Sequence, residues 1–346
     1  MTNYDVYMGK CIELAIKGRG ATSPNPLVGC VILNNREEII SEGYHEKYGE
    51  FHAERNALNK LENAQGCTLI VNLEPCCHQG KTPPCTDIII EKGIKKVVYG
   101  MQDPNPIVGG KGLQTLKEAG IEVFGPVLED ECKKLNEIFI KNKIKKQTFV
   151  AIKTATTIDG KIATINGDSK WITSEKSRNE VKNIRQKYDA ILTSSSTVIA
   201  DNPTMKHRKK IILDRNLKTD INSNIYQNGE ICVFHDEKYD VKNNNENIKY
   251  IKTPVINKKL DIEFILKQLY ELGIMSVLVE SGGRLNESML PFADKLYHFI
   301  APKILGDNDG KSCFYGDKKN QISECTNLTL SEIQTFDLDI LLIYSK

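Results

Sequence analysis

Apolar positions in the first 17 residues recur at Met8, Cys11, Ile12, Ala15 and Ile16. That spacing of three and four predicts an amphipathic helix, capped by Thr2 or Asn3. The period then changes. Short apolar runs at 28–33, 38–44, 68–73, 96–101 and 121–127 predict strands, and helical patterns at 52–62, 85–92, 112–119 and 129–144 interrupt them. Strands alternating with helices predict a layered α/β domain with parallel pairing in its second half. The polar, lysine-rich stretch 142–147 reads as a linker. Beyond it the pattern restarts, with strands at 149–156, 189–193, 210–213, 230–234, 249–252, 276–280, 295–301 and 337–344. Helices are predicted at 174–187 and 261–272, and turns at Asp159-Gly160 and Gly282-Gly283. The expectation is two α/β domains, residues 1–145 and 146–346.

Composition supports this and narrows the function. A chain of 346 residues can bury two cores, and 40% hydrophobic with 27% charged residues excludes a disordered or fibrous class. The 47 basic residues nearly balance the 45 acidic ones, so the charge gives no footprint for nucleic acid. The start, Met1-Thr2-Asn3-Tyr4-Asp5, lacks a secretion pattern, and no apolar run reaches the ~20 residues of a membrane helix. Ten cysteines are scattered along the chain and read as reduced thiols. A cytoplasmic protein that binds neither nucleic acid nor membrane is expected.

The chemistry concentrates in His52-Ala53-Glu54 and Pro75-Cys76-Cys77-His78-Gln79-Gly80-Lys81-Thr82-Pro83-Pro84-Cys85. One imidazole and two thiolates leave a tetrahedral Zn²⁺ with an open position, the pattern of a catalytic site. Taken singly, His52, Cys76 and Cys85 could be ordinary core residues; Glu54 two positions on and Pro75 before Cys76 favour a zinc deaminase. Nucleobase deaminases pair H-x-E with P-C-x-x-C, whereas here eight residues separate the cysteines. Cys77 and His78 could also ligate, but adjacent side chains on a turn point apart, which favours Cys76 with Cys85.

Other motifs are weaker. Gly80-Lys81-Thr82 lacks the upstream glycine of a P-loop, Pro75 standing in its place, so it is either a solvated loop or a grip for one phosphate. Asp159-Gly160 reads as a hairpin turn. Trp171, the only tryptophan, reads as a core residue before a cofactor stack. Glu280-Ser281-Gly282-Gly283-Arg284 follows a strand, where backbone N–H groups can hold a phosphate. Arg185 and Arg208 are either a phosphate clamp or surface charges.

Together the motifs Asn25-Pro26-Leu27-Val28-Gly29, His52-Ala53-Glu54, Leu73-Glu74-Pro75-Cys76 and Gly80-Lys81-Thr82-Pro83-Pro84-Cys85 carry a resemblance. So do Asp103-Pro104-Asn105-Pro106, Asp159-Gly160-Lys161-Ile162-Ala163, the stretch from Gly167 to Thr173 and that from Thr197 to Pro203. Over nearly its whole length the chain resembles the bifunctional riboflavin-biosynthesis deaminase/reductase family, which shares the wide cysteine spacing. The resemblance implies a cytidine-deaminase-like N-terminal domain and a dihydrofolate-reductase-like C-terminal domain. It implies deamination of 2,5-diamino-6-(5-phosphoribosylamino)pyrimidin-4-one, then NADPH-dependent reduction of the ribosyl group to ribityl. By the same resemblance His52, Cys76 and Cys85 hold Zn²⁺ and Glu54 shuttles protons to the leaving amine. Asn25, His45, Lys81 and Thr82 fall where the pyrimidine and ribose phosphate are held. Ser169, Arg185, Met205, Arg208 and Glu280 match reductase substrate positions. Ala155, Trp171, Thr197, Asp201, Gly282, Gly283, Arg284, Leu285, Asn286, Glu287 and Ser288 match NADPH positions.

The expected partner is this small phosphoribosyl pyrimidine, in a homo-oligomeric enzyme. One departure stands out: Ser194-Ser195-Ser196 replaces a glycine-rich turn. A Cβ there resists positive φ and hinders a cofactor phosphate, so a deaminase with an impaired reductase is the alternative. A tRNA or DNA deaminase should show P-C-x-x-C and a basic surface, and an inactive deaminase should lack Glu54.

Overall fold

Two glycines set the first layer contact. In the computed structural model, a Cβ on Gly29 would lie 2.0 Å from the Cys11 carbonyl oxygen, and one on Gly43 would lie 2.5 Å from Ala53 O and Ala57 N. Helix backbone therefore rests directly on strand backbone at both places, and the second contact fixes the helix that begins beside His52. The structure describes residues 3–80, 82–105, 109–241, 245–317 and 319–346. The chain divides into two compact units, Met1–Lys146 and Gln147–Lys346.

The first unit contains α1 (Asn3–Ile16), β1 (Gly29–Leu33), β2 (Ile39–Tyr44), α2 (Ala53–Leu58), β3 (Thr68–Val71) and α3 (Cys85–Glu91). It continues with β4 (Lys96–Tyr99), α4 (Lys111–Glu118), β5 (Glu122–Phe124), α5 (Glu129–Leu135) and α6 (Glu137–Lys145). Its sheet runs β2-β1-β3-β4-β5, antiparallel on the β2-β1-β3 side and parallel from β3 to β5. The core collects Met8, Cys11 and Leu14 of α1, the inward residues of β1, β3 and β4, and Ile88 and Ile89 of α3.

The second unit contains β6 (Phe149–Thr156), β7 (Lys161–Ala163), α7 (Glu175–Arg185), β8 (Ala190–Ser194), α8 (Ser195–Asp201), β9 (Lys209–Leu213) and β10 (Glu230–Asp236). Then come β11 (Ile248–Thr253), β12 (Val255–Ile256), β13 (Lys259–Leu260), α9 (Ile262–Glu271), β14 (Ser276–Val279) and α10 (Gly283–Met289). The last strands are β15 (Lys295–Ile300), β16 (Lys311–Ser312), β17 (Thr329–Phe336) and β18 (Asp339–Ser345). The main sheet has order β11-β10-β9-β8-β14-β6-β15-β18-β17; it is parallel from β11 to β15, and β18 and β17 add antiparallel. In such sheets ligands bind beyond the carboxyl ends of the strands, which brings the ends of β8 and β14 together.

Several expectations change. The helix predicted at 129–144 is two helices, broken at Asn136, whose side chain turns inward to bond both backbone groups of Leu27. The helix from 52 stops at Leu58, not near 62. The Asp159-Gly160 turn closes through Thr157 N to Lys161 O, but β7 then pairs with β16 and not back on β6. Trp171 is no core residue: it is 62% exposed, with the Arg178 guanidinium 4.4 Å above its ring.

Candidate active sites

In the first unit the chemistry gathers where α2 and α3 begin. His52 is the residue just before α2, and Cys85 is the first residue of α3. Cys76 lies in the loop leaving β3, where its carbonyl accepts from Cys85 N at 3.0 Å and Thr86 N at 3.2 Å. His52 Nδ1 is 3.5 Å from Cys76 Sγ and 3.5 Å from Cys85 Sγ. All three ligand atoms lie within 4.8 Å of one another, the one such cluster among the described residues. Ligand bonds of about 2.1 Å to nitrogen and 2.3 Å to sulfur at tetrahedral angles separate N and S by about 3.6 Å. The His–Cys distances fit zinc. Cys77 and His78 fall outside the cluster, which answers the ligand ambiguity of the Cys76–Cys85 stretch.

The electrostatics suit an ion. Cys76 is the acidic thiol, lowered to about 4 because Cys85 donates to it and His52 lies beside it, whereas Cys85 is raised. His52's own hydrogen bond with Cys76 raises the His52 pKa. Glu54 is only 3% exposed, and burial, reinforced by the Cys76 charge, lifts it to about 7. A carboxyl poised near neutrality can both take and return a proton.

A cavity of about 190 Å³ opens onto His52 and Cys76, lined besides by Asn25, Tyr48, Gly49, Glu50, His78, Gly80 and Thr82. Asn25 and Thr82 thus share one cavity with His52 and Cys76, and Lys81 lies outside the described residues. His45 sits behind them, its ring edge-on to His52 with centroids 5.3 Å apart. His45 Nδ1 must donate to the Phe51 carbonyl at 3.0 Å, so Nε2 accepts from Asn25 Nδ2 at 3.1 Å. Burial lowers the His45 pKa and keeps the ring in that neutral form. Tyr48 and Glu50 are cavity residues that no sequence motif announced.

In the second unit a charged triad forms under the sheet end. Arg185, at the end of α7, donates Nε to Glu280 Oε1 at 2.6 Å and an Nη to Oε2 at 3.0 Å. Lys153 of β6 reaches the same Oε2 at 3.0 Å. Burial opposes the Glu280 charge, but the two cations outweigh it and hold the carboxyl down at about 2. Lys153 was missed by sequence reasoning because one lysine in an apolar strand carries no spacing signal. Arg208 does not join this triad in the structure: its side chain is 83% exposed, 3.5 Å from Glu230. The Met205 side chain is buried with Ile191 and Val198.

Beside the triad, hydroxyls from two strand ends meet. Ser194 Oγ lies 2.7 Å from Ser281 Oγ, 2.8 Å from Ser196 Oγ and 3.2 Å from Thr197 Oγ1. Ser194 is extended, φ −109°, and its side chain caps α8 by accepting from Thr197 N. The serine turn therefore needs no positive φ, and the backbone strain expected of its Cβ does not arise. A Cβ on Gly282 would meet nothing within 4 Å, which leaves open space ahead of α10. Asn286 is buried, donates to Ser281 O and Cys313 O, and its Oδ1 has no partner. This donor and acceptor set suits a polar cofactor. Within the same stretch Leu285 packs on the core, Ser288 bonds back to Arg284 O, and Arg284 lies over the Tyr315 ring. Ala155 and Ser169 are half-buried and Asp201 is exposed.

Residues 1–101 match the cytidine and deoxycytidylate deaminase zinc-binding region, and residues 148–342 match the RibD C-terminal domain. Fold and site thus define a zinc-dependent deaminase unit followed by an NADPH-dependent reductase unit. The chain is 42% identical to riboflavin biosynthesis protein RibD of Actinobacillus pleuropneumoniae, with 99% of this chain and 95% of the relative covered. It is 37% identical to the Escherichia coli (strain K12) protein of that name, over 89% of this chain and 90% of the other. Among solved structures it is similar to Acinetobacter baumannii RibD, with TM-score 0.88 and 33% identity over 99% and 98% of the two chains. A Thermotoga maritima diaminohydroxyphosphoribosylaminopyrimidine deaminase/5-amino-6-(5-phosphoribosylamino)uracil reductase gives TM-score 0.88 and 39% identity over the same shares. The chain belongs to the RibD family of riboflavin biosynthesis proteins.

Proposed function

We propose that this chain carries both steps, with the deaminase residues named above acting on 2,5-diamino-6-(5-phosphoribosylamino)pyrimidin-4(3H)-one. The observation that carries this reading is the 3.5 Å approach of His52 Nδ1 to both sulfurs with Glu54 buried alongside. In it, His52, Cys76 and Cys85 hold Zn²⁺, whose contribution when bound is to acidify a water. Glu54 takes that water's proton and returns it to the departing 2-amino group, which leaves as ammonia. Asn25, its NH₂ committed to His45, turns its carbonyl oxygen to the pyrimidine. Thr82 and Lys81 hold the ribose phosphate.

The product, 5-amino-6-(5-phosphoribosylamino)uracil, then passes to the second unit. NADPH supplies the hydride there, against the hydroxyls of Ser194, Thr197 and Ser281 and the stretch Gly282 to Ser288, with Ala155, Trp171 and Asp201 at its other contacts. Arg185 keeps three of its five N–H groups for the ribose phosphate, and Glu280 with Lys153 orients the sugar. Ser169, Met205 and Arg208 complete the substrate contacts. The deciding experiment supplies the diaminopyrimidine phosphate and follows ammonia and NADPH absorbance together; ammonia without NADPH oxidation would leave only the deaminase.

The chain's setting follows the same reading. All ten cysteines are free thiols, which supports the reducing cytoplasm. No helix among the described residues is long and apolar enough to cross a membrane. The near-neutral charge supports a free nucleotide, not a nucleic acid, as substrate. We also read the β17–β18 hairpin, which exposes Leu330, Ile333, Leu338 and Ile340, as the face of a homo-oligomer. Light scattering that gave one chain per particle would remove that reading.

A further inference from the structure

The deaminase chemistry leaves one buried carboxylate unused. Glu74 is 5% exposed and sits two residues before Cys76, in the irregular segment that leaves β3. Its Oε1 accepts from Gly112 N at 2.8 Å and Leu113 N at 3.4 Å. Its Oε2 accepts from Gly110 N at 2.8 Å and Asp103 N at 3.1 Å. Four backbone donors fill the four acceptor sites of a carboxylate, and they come from two places, the turn after β4 and the start of α4. The same contact is tight in the backbone. A Cβ on Gly112 would lie 2.0 Å from Pro75 O and 3.1 Å from Glu74 Oε1. On its other side, Cys76 is held by Cys85, whose N–H reaches both Cys76 O at 3.0 Å and Cys76 Sγ at 3.4 Å.

We infer that Glu74 is a positioning residue of the deaminase: by binding four N–H groups of the 103–113 segment it fixes the backbone that presents the Cys76 sulfur. The inference rests on the reading that His52, Cys76 and Cys85 hold zinc. Cys76 lies in a loop, whereas Cys85 is held by α3 and His52 by the start of α2. The place of Cys76 therefore depends on bonds from outside its own segment, those of Cys85 and Thr86 to its carbonyl on one side and those of the Glu74 carboxylate on the other. A buried carboxylate bonded to four N–H groups gains from charge assistance, and a carboxamide cannot replace it. Gln at this position offers one oxygen and one NH₂, and the NH₂ would face two N–H donors. Partners behind metal ligands alter metal affinity by about 10–100-fold when lost.

The test is zinc competition against a chromophoric chelator, using the full-length chain, with NADPH oxidation on the pre-deaminated substrate recorded in the same samples. Glu74→Gln should bind zinc at least about ten-fold more weakly while NADPH oxidation stays within about two-fold. Glu74→Asp, which keeps the charge but falls one methylene short, should lie between, and it serves if the Gln variant does not accumulate. Leu14→Ala, a hole in the core of the same unit, should leave zinc affinity unchanged, which separates positioning from general loosening. Zinc held normally by Glu74→Gln, or lost equally from Leu14→Ala, overturns the inference. A Cys76→Ser variant that keeps zinc overturns the ligand reading and this inference with it. Loss in Cys76→Ser without loss in Glu74→Gln overturns the inference alone.

Discussion

Asn25 and His45 lock each other's orientation: the imidazole donates to the Phe51 carbonyl, so its remaining nitrogen can only accept the Asn25 NH₂. That leaves the amide oxygen of Asn25, a residue on the wall of the cavity that His52 also lines, for the proposed contact to the pyrimidine. Asn25→Asp keeps the size but has no N–H for His45, and it adds a carboxylate to the cavity that Glu50 already lines. Its deaminase kcat/KM should fall at least about ten-fold, with NADPH oxidation on the pre-deaminated substrate unchanged. Equal ammonia release from both proteins would show that the lock has no part in binding.

Glu54→Gln removes the proposed proton carrier and leaves the three proposed metal ligands in place. Ammonia release should drop by about 10²–10⁴-fold, the usual share of a positioned acid/base, with zinc content and reductase rate retained. Loss of both activities together would mean that the two units do not act independently.

Zinc should be present at about one ion per chain and be removable by a chelator at mildly acidic pH, where ligands protonate. The stripped chain should lose ammonia release and keep NADPH oxidation. Elemental analysis checks the first point, and paired assays the second.

Glu280 is depressed to about 2, against about 4.3 in an unfolded chain. Because its folded value is lowered, its contribution to stability is complete above about pH 5 and fades as pH falls toward 2, by about 3 kcal/mol in all. Glu280→Gln, which strands Lys153 and Arg185, should destabilise the second unit by about 3 kcal/mol at neutral pH. The gap between the two proteins should narrow in denaturant titrations at pH 3. A gap that widens there would contradict the ion-pair account.

Ser194→Ala removes the cap of α8 and the bond to Ser281. The KM for NADPH should rise several-fold while kcat changes less, and helix stability should fall by about 1 kcal/mol. An unchanged KM would separate the hydroxyl cluster from the cofactor.

Legibility in the sequence follows the chemistry that each residue must perform. The gathering of His52, Cys76 and Cys85, with Glu54 buried, could be read because few residue types suit a zinc site and their spacing is local. The strands could be read because buried parallel strands are short apolar runs. Lys153 and Glu280 lie 127 residues apart and meet only through the order of β14 and β6, which no local pattern encodes. The break at Asn136 was hidden for a related reason: an asparagine in a charged helical pattern looks like surface, and only Leu27, 109 residues earlier, explains it. Asp159-Gly160 was misread because turn chemistry specifies the turn but not the partner of the strand after it.

The Asn136 latch bears on where this catalyst can be cut. Leu27 N and O, two residues past Asn25, are held by the Asn136 amide, with Asn72 adding a second bond to Leu27 O. A fragment ending at residue 101, where the zinc-binding match stops, would contain every proposed ligand and still lack this clasp. An excised deaminase that keeps this clasp carries its sequence beyond Asn136, well past the end of the motif that identifies it.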